Sequence, residues 1–368
     1  MRCKDVLFTM DLGKKPISAI CFKPGNESVV YASSGAEVMC FDVHLSHLWV
    51  FYQVGDILVE GMVDDSTSRF VGLESGIVLA FERYNMQSGS MEKFVSSWKP
   101  LETYNYNKEE INQITCNSKS SFLAAADDGG DIKIIDIHQQ CLYKTLRAGH
   151  TIITGGLDAK LVMWDFSKGR PYKIVDFGIP DMDSSTNAGQ FFNPAFVHAI
   201  AVPEMDMLDK SDKICVVARG DGVVDVINIE SELAAIKSKS SSQQRKGSQS
   251  RSKDSMPTEN PATGDQNGGR RLHLDCSVGG HTAAVCSVAF SLFGERGRFI
   301  VSGGNDAFVK VWDCSKHLND RQISSNKDLL HLNINVGKKV NWLCTTPTDS
   351  ENLVVCDTSK VIKVYTVS

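Results

Sequence analysis

Gly280-His281, Ser302-Gly303-Gly304-Asn305-Asp306 and Val311-Trp312-Asp313 decide how this chain is read. Between the first two lies Val285-Cys286-Ser287-Val288-Ala289-Phe290, and before the last Trp comes Phe308-Val309-Lys310-Val311, both strand-like alternations. A second copy of the closing half stands at Ile153-Thr154-Gly155-Gly156-Leu157-Asp158 and Met163-Trp164-Asp165. Two copies define a repeat, and a repeat sets the fold before any local propensity does.

Working outward, seven segments share that ending, an aromatic or aliphatic residue followed by a polar one. They are Phe41-Asp42, Phe81-Glu82, Ile135-Asp136, Trp164-Asp165, Ile227-Asn228, Trp312-Asp313 and Tyr365-Thr366. An earlier strand recurs with apolar residues at its first, fourth and sixth positions. It reads Ile17, Ile20, Phe22; Ile111, Ile114, Cys116; Val197, Ile200, Val202; Val285, Val288, Phe290; and, in part, Val340, Leu343. The pattern predicts an all-β fold in which each repeat is one antiparallel sheet.

Two departures interrupt the repeat. Residues 231–276 hold six basic residues from Lys237 to Lys253 among Ser and Gln, with few large apolar groups. Such a stretch buries too little to offset its ordering entropy and is expected as a disordered insert. Setting it aside leaves about 320 residues, and seven blades of ~40–45 residues need ~280–315. The second departure is at residues 150–165. His281 and Ser302 lie 21 positions apart, but His150 and Thr154 only four. The fourth repeat therefore lacks about 17 residues, an innermost strand and its turn. Residues 45–98 are read as a weakly marked blade, with an insert that mimics a strand as the alternative. The chain ends in the strand Val361–Tyr365, and Asp5–Leu12 supplies an outer strand to close the last sheet.

Composition narrows the function. The 368 residues are 42% apolar with a net charge of −5. Mild acidity argues against a dedicated nucleic-acid binder. The eleven cysteines include no Cys-x-x-Cys and sit mostly in apolar runs, which predicts reduced buried thiols rather than disulfides or zinc. No signal peptide or membrane span is read, so a cytoplasmic or nuclear protein is expected.

The quoted blade resembles the WD-repeat (transducin beta-like) family. The resemblance implies a seven-bladed propeller over residues 1–368, with the fourth blade truncated here. It also implies a structural tetrad of His281, Ser302, Asp306 and Trp312, and a partial one of His150, Thr154, Asp158 and Trp164. The stretches Asn107–Asn112, Ala125–Asp128, Phe192–Ile200 and Gly337–Leu343 resemble one branch of that family. That branch groups with candidate substrate receptors of a cullin-4 RING ubiquitin ligase. It implies a monomer working within a complex, with Trp164, Asp165, Trp312 and Asp313 as candidate contacts to the ligase's linker protein. Such receptors often show Trp-Asp-x-Arg; here Ser167 and Ser315 stand in place of Arg, with Lys168 and Lys316 next.

Sharper chemistries are each met by a plainer reading. His281 and Asp306 could be an acid–base pair, but a buried tetrad accounts for both together with Ser302 and Trp312. His44-x-x-His47 lacks further metal ligands. Asp127-Asp128-Gly129-Gly130-Asp131 sits at a tight turn and lacks the rest of a calcium loop. The Gly155-Gly156 and Gly303-Gly304 pairs are followed by no Lys-Ser/Thr, so close strand packing is expected rather than phosphate binding. No catalytic residue, cofactor or metal is assigned. The chain is read as a non-enzymatic protein–protein interaction scaffold. The alternative is a nuclear RNA- or chromatin-associated factor using the basic Ser-rich insert, which carries no interleaved aromatics for base stacking.

Overall fold

The alternating runs become strands because each has one apolar face to bury, and antiparallel pairing through short turns satisfies the backbone. The computed structural model describes residues 8–11, 19–23, 26–34, 37–42, 47–53, 59–64, 68–73, 78–82, 102–116, 121–146, 150–165, 170–179, 193–203, 207, 214–232, 271–314, 329–359 and 361–368.

Strand β1 (Phe8–Asp11) precedes the first sheet, formed by β2 (Ala19–Lys23), β3 (Asn26–Ser34), β4 (Glu37–Asp42) and β5 (His47–Gln53). The second holds β6 (Val59–Asp64), β7 (Ser68–Leu73), β8 (Val78–Glu82) and β9 (Glu102–Tyr104). The third is β10 (Ile111–Cys116), β11 (Phe122–Asp127), β12 (Ile132–Asp136) and β13 (Cys141–Leu146). Only β14 (His150–Gly155), β15 (Lys160–Asp165) and β16 (Arg170–Asp176) make the fourth. The fifth comprises β17 (Val197–Ala201), β18 (Ile214–Arg219), β19 (Val224–Asn228) and β20 (Arg271–Leu274). The sixth comprises β21 (Val285–Phe290), β22 (Phe299–Gly304), β23 (Phe308–Asp313) and β24 (Leu330–Asn335). In the seventh, β25 (Val340–Thr345), β26 (Leu353–Asp357) and β27 (Val361–Tyr365) are completed by β1, with Phe8 opposite Val364 and Asp11 opposite Val361.

The sheets stand in a ring, a β-propeller. The first strand of each four-stranded sheet packs on the first strand of the next: β2 on β6, β6 on β10, β17 on β21, β21 on β25, and β25 back on β2. The fourth sheet has no such strand, and it meets the fifth through β14 against β17. Among the described residues, no strand of the third sheet packs substantially against the fourth.

The core lies between neighbouring sheets. One cluster joins Val216 and Val224 of the fifth sheet to Val288, Ile300 and Trp312 of the sixth. A second joins Val301, Val309 and Val311 of the sixth to Val340, Leu343 and Val355 of the seventh. Close approach requires glycine at the end of the second strand. A Cβ on Gly303 would stand 2.5 Å from Val340 Cγ1, and one on Gly155 would stand 2.0 Å from Val197 Cγ1. The paired glycines are thus packing positions.

Two boundaries differ from the sequence reading. The 231–276 insert is narrower at both ends. Ile229–Glu232 form a helical turn with Glu232 fully buried, and Arg271–Leu274 are the outer strand of the fifth sheet. The Ser/Lys-rich composition masked an alternating strand, Arg271-Leu272-His273-Leu274. The rest, 233–270, lies outside the described residues. Within residues 45–98, β5 completes the first sheet, while β6, β7 and β8 enter a second four-stranded sheet whose last strand is Glu102–Tyr104.

Candidate functional site

The turns between second and third strands gather at one end of the ring, because every sheet runs antiparallel and starts its first strand there. That end carries most of the described polar networks. In the sixth sheet the structure brings His281, Ser302, Asp306 and Trp312 into one chain of hydrogen bonds. The Trp312 indole N–H donates to Ser302 Oγ at 2.9 Å, and Ser302 Oγ lies 2.9 Å from His281 Nε2. His281 Nδ1 lies 2.9 and 3.1 Å from the two oxygens of Asp306. The consistent assignment has Ser302 donating to Nε2 and Nδ1–H donating to the carboxylate. Asp306 also accepts from the backbone N–H of Thr282 at 3.1 Å and of Phe308 at 3.2 Å, which fixes the turn.

Burial sets the charge state. His281 is lowered from its ordinary pKa chiefly by burial, with Asp306 opposing, so a neutral imidazole is held. Burial raises Asp306, but the His281 bond and the two backbone N–H groups outweigh it, and its carboxyl stays ionised below the usual range. Trp312 and Ser302 are fully buried, so neither has a face open to a substrate or partner. Trp312 is therefore no contact for an adaptor protein. Asp313 sits at the opposite end of the sheet, where its carboxylate accepts from Arg298 Nη2 at 2.8 Å and Nε at 3.2 Å.

The fourth sheet keeps only part of this arrangement. Trp164 Nε1 donates to Thr154 Oγ1 at 2.7 Å. Asp158 accepts the backbone N–H of Lys160 at 3.2 Å, the turn bond that Asp306 gives Phe308. His150 does not stand where His281 does. It lies on β14 itself, opposite Asp165, because it stands only four positions before Thr154. The partial tetrad is thus a Trp–Thr pair and a separate turn carboxylate. Trp164 and Thr154 are half-buried, where their counterparts are sealed.

Three networks escaped sequence reasoning. In the third sheet Asn107 occupies the place of His281 and donates to Asp127 Oδ2 at 3.0 Å. The acidic partner has moved two positions, from the turn to the strand end, so no motif survives. In the same turn Asp127 also caps the Asp131 N–H at 2.9 Å, Asp128 accepts from Asn112 at 2.6 Å, and Asp131 pairs with Lys133 at 2.9 Å. In the fifth sheet Arg219 Nη1 binds buried Asp225 at 2.8 Å, and its other nitrogens bind Asp221. His273 holds the second oxygen of Asp225. Burial raises Asp225, but the His273 bond and the Arg219 charge prevail and keep it below the ordinary carboxylate range. Glu232, fully buried, takes Arg271 at 2.8 Å and an ion pair from Lys173 of the fourth sheet at 2.9 Å. These partners are distant in sequence, so only the fold brings them together.

Among the described residues, no three metal-ligating side chains gather, and no helix is long and apolar enough to cross a membrane. His44 lies outside the described residues, as do Ser167, Lys168, Ser315 and Lys316, and His47 is described only as part of β5. The cysteines Cys215, Cys314 and Cys356 are buried and free. Burial pushes the first two thiols up to about 12 and the third well above its ordinary value, so they are held as unreactive thiols.

Residues 274–313 match the family described as WD domain, G-beta repeat. The matched segment runs from the end of β20 through β23 and contains all four bonded residues of the sixth sheet. Over 299 residues the chain is 23% identical to the WD repeat-containing protein 53 homolog of Dictyostelium discoideum, covering 72% of this chain and 69% of that protein.

Proposed function

We propose that this β-propeller is a WD-repeat protein and a non-catalytic scaffold whose strand ends and turns hold a partner protein. The observation that carries this reading is how the polar groups at the turn end are used. His281, Asp306, Arg219, Asp225 and Asp127 bond within their own sheets. They stiffen a surface of turns, and the hydroxyl that stands beside a base, Ser302 next to His281, is fully buried and already accepts the Trp312 N–H. Function on such a fold resides in what the turns display.

The finer role we propose is substrate receptor of a cullin-4 RING ubiquitin ligase, working in the cytoplasm or nucleus. Support comes from the branch resemblance and from the end of the sixth sheet's third strand. There Arg298, part-exposed and hydrogen-bonded to Asp313, sets a guanidinium beside the Trp-Asp end, although Ser315 stands where that family often has Arg. Affinity purification of the tagged chain should recover the cullin-4 linker protein near stoichiometry. Arg298→Glu should reduce that recovery several-fold without changing the melting temperature by more than about 1 °C, since exposed pairs contribute little. Recovery of other proteins but never the linker would leave the scaffold and remove the ligase.

A further inference from the structure

Six sheets of the ring place a strand on each edge of their second strand, whereas β14 is paired with β15 alone among the described residues. We propose that the cleft between the third and fourth sheets accepts an extended segment of a partner protein. The segment adds to β14 as an antiparallel innermost strand, with apolar residues at its first, fourth and sixth positions. This site is separate from the turn surface and the Trp-Asp ends, and it does not depend on the role proposed for them.

The vacancy repeats at the level of a single hydrogen bond. The residue after the second strand donates its N–H to the residue just before the first strand in four sheets. Asp128 donates to Glu110 O at 3.0 Å, Gly220 to Phe196 O at 2.8 Å, Asn305 to Ala284 O at 2.7 Å and Thr358 to Lys339 O at 2.9 Å. Counted from the shared hydroxyl, Thr154 for Ser302, Leu157 is the fourth sheet's match to Asn305. Its N–H makes no such bond among the described residues, and its side chain is 68% exposed. Both walls of the cleft show the same want. On one side, Trp164 is half-open where Trp312 is sealed. On the other, Ile132 and Ile134 form an apolar cluster with Phe122, Ala124 and Ala126 that includes no residue of the fourth sheet.

The neighbouring sheets also specify the occupant. Val285, Val288 and Phe290 stand opposite Gly304, Ser302 and Ile300. The matching places on the fourth sheet are Gly156, Thr154 and Ile152, since Thr154 bonds Trp164 as Ser302 bonds Trp312. First strands bury their first and fourth residues and open their second, as in Ile111–Cys116. A strand of that polarity would cover Trp164 on one side and Ile134 on the other. A second copy of this chain is a poorer occupant, because its six first strands are already paired in their own sheets. Addition of an extended segment to an open strand edge is an established mode of peptide recognition.

The test uses the full chain and a fluorescein-labelled peptide copying Thr282–Leu292 with Cys286→Ser. Saturable binding by fluorescence polarisation is expected, with hydrogen-exchange protection gained at 152–157. Two further peptides are N-methylated at alternate residues, one set removing the N–H groups aimed at β14 and the other those aimed away. Only the first set should lose binding, by tenfold or more. A Val288→Asp peptide should lose as much. No binding of the parent peptide, equal behaviour of the two methylated sets, or protection gained elsewhere would each overturn the proposal. So would a dimer of the free chain in light scattering that dissociates when peptide is added, because it would make a second copy the occupant.

Discussion

The fourth and sixth sheets carry the same second strand, turn and third strand, yet one is sealed and the other open. Both use a hydroxyl to hold a tryptophan N–H, at 2.7 Å in the fourth and 2.9 Å in the sixth. Both turn through an alanine with left-handed φ, Ala159 at 59° and Ala307 at 66°. The difference is one strand and the histidine that precedes it. The hairpin of second and third strands therefore holds its shape without the innermost strand. What the missing strand removes is exclusion of water and the bond that ties the turn carboxylate to the hydroxyl.

Hydrogen exchange probes that contrast most directly. Amides of β14, with one open edge, should exchange ~100-fold or more faster than those of β22, because exchange spans the range from local fraying to global unfolding. Equal protection of the two strands would mean that β14 is already covered. Substitution of the two tryptophans comes next. Trp312→Phe leaves Ser302 without a buried donor and should cost ~1–3 kcal/mol in urea unfolding. Trp164→Phe frees a hydroxyl that water reaches, and should cost well under ~1 kcal/mol. A similar cost at both sites would erase the distinction drawn from burial.

The smallest effect is in pH. His281 is lowered in the folded chain, mainly by burial, so the unfolded chain takes up its proton first. Its contribution is complete above the ordinary histidine pKa of ~6.5 and is lost as pH falls below that, towards the folded value. His198, also lowered by burial, acts in the same sense. The slope of stability between pH 7 and 5 should therefore be shallower in His281→Gln than in the parent chain. An unchanged slope would show that His281 is not held neutral.

Much of this was legible because identity and spacing coincide in the sixth sheet. His281, Ser302, Asp306 and Trp312 each have a side chain with one evident partner, and strand lengths fix the intervals. The short fourth repeat was legible for the same reason, as a lost interval. The third sheet was not, since Asn107 replaces the histidine and Asp127 does the work of the turn carboxylate from a shifted position. Nor were Lys173, Glu232 and Arg271, whose meeting depends on a helical turn and an outer strand flanking a polar insert. Local pattern exposes groups bonded within a repeat, and it cannot show groups joined across two sheets.

The clasp of β1 on β27 has a consequence in time. Phe8 is made about 350 residues before its partner Val364. At ~5–20 residues per second, β1 waits on the order of 20–70 s for the strand that will cover it. Until then the seventh sheet cannot be completed by its outer strand. Phe8-Thr9-Met10-Asp11 alternates apolar with polar residues, so half of the waiting strand can face water without inviting a stray partner. Closure itself adds little entropy for so long a loop, because that cost rises only logarithmically with length. The ring is therefore limited by waiting rather than by energy, and its first-made strand is among the last to be placed.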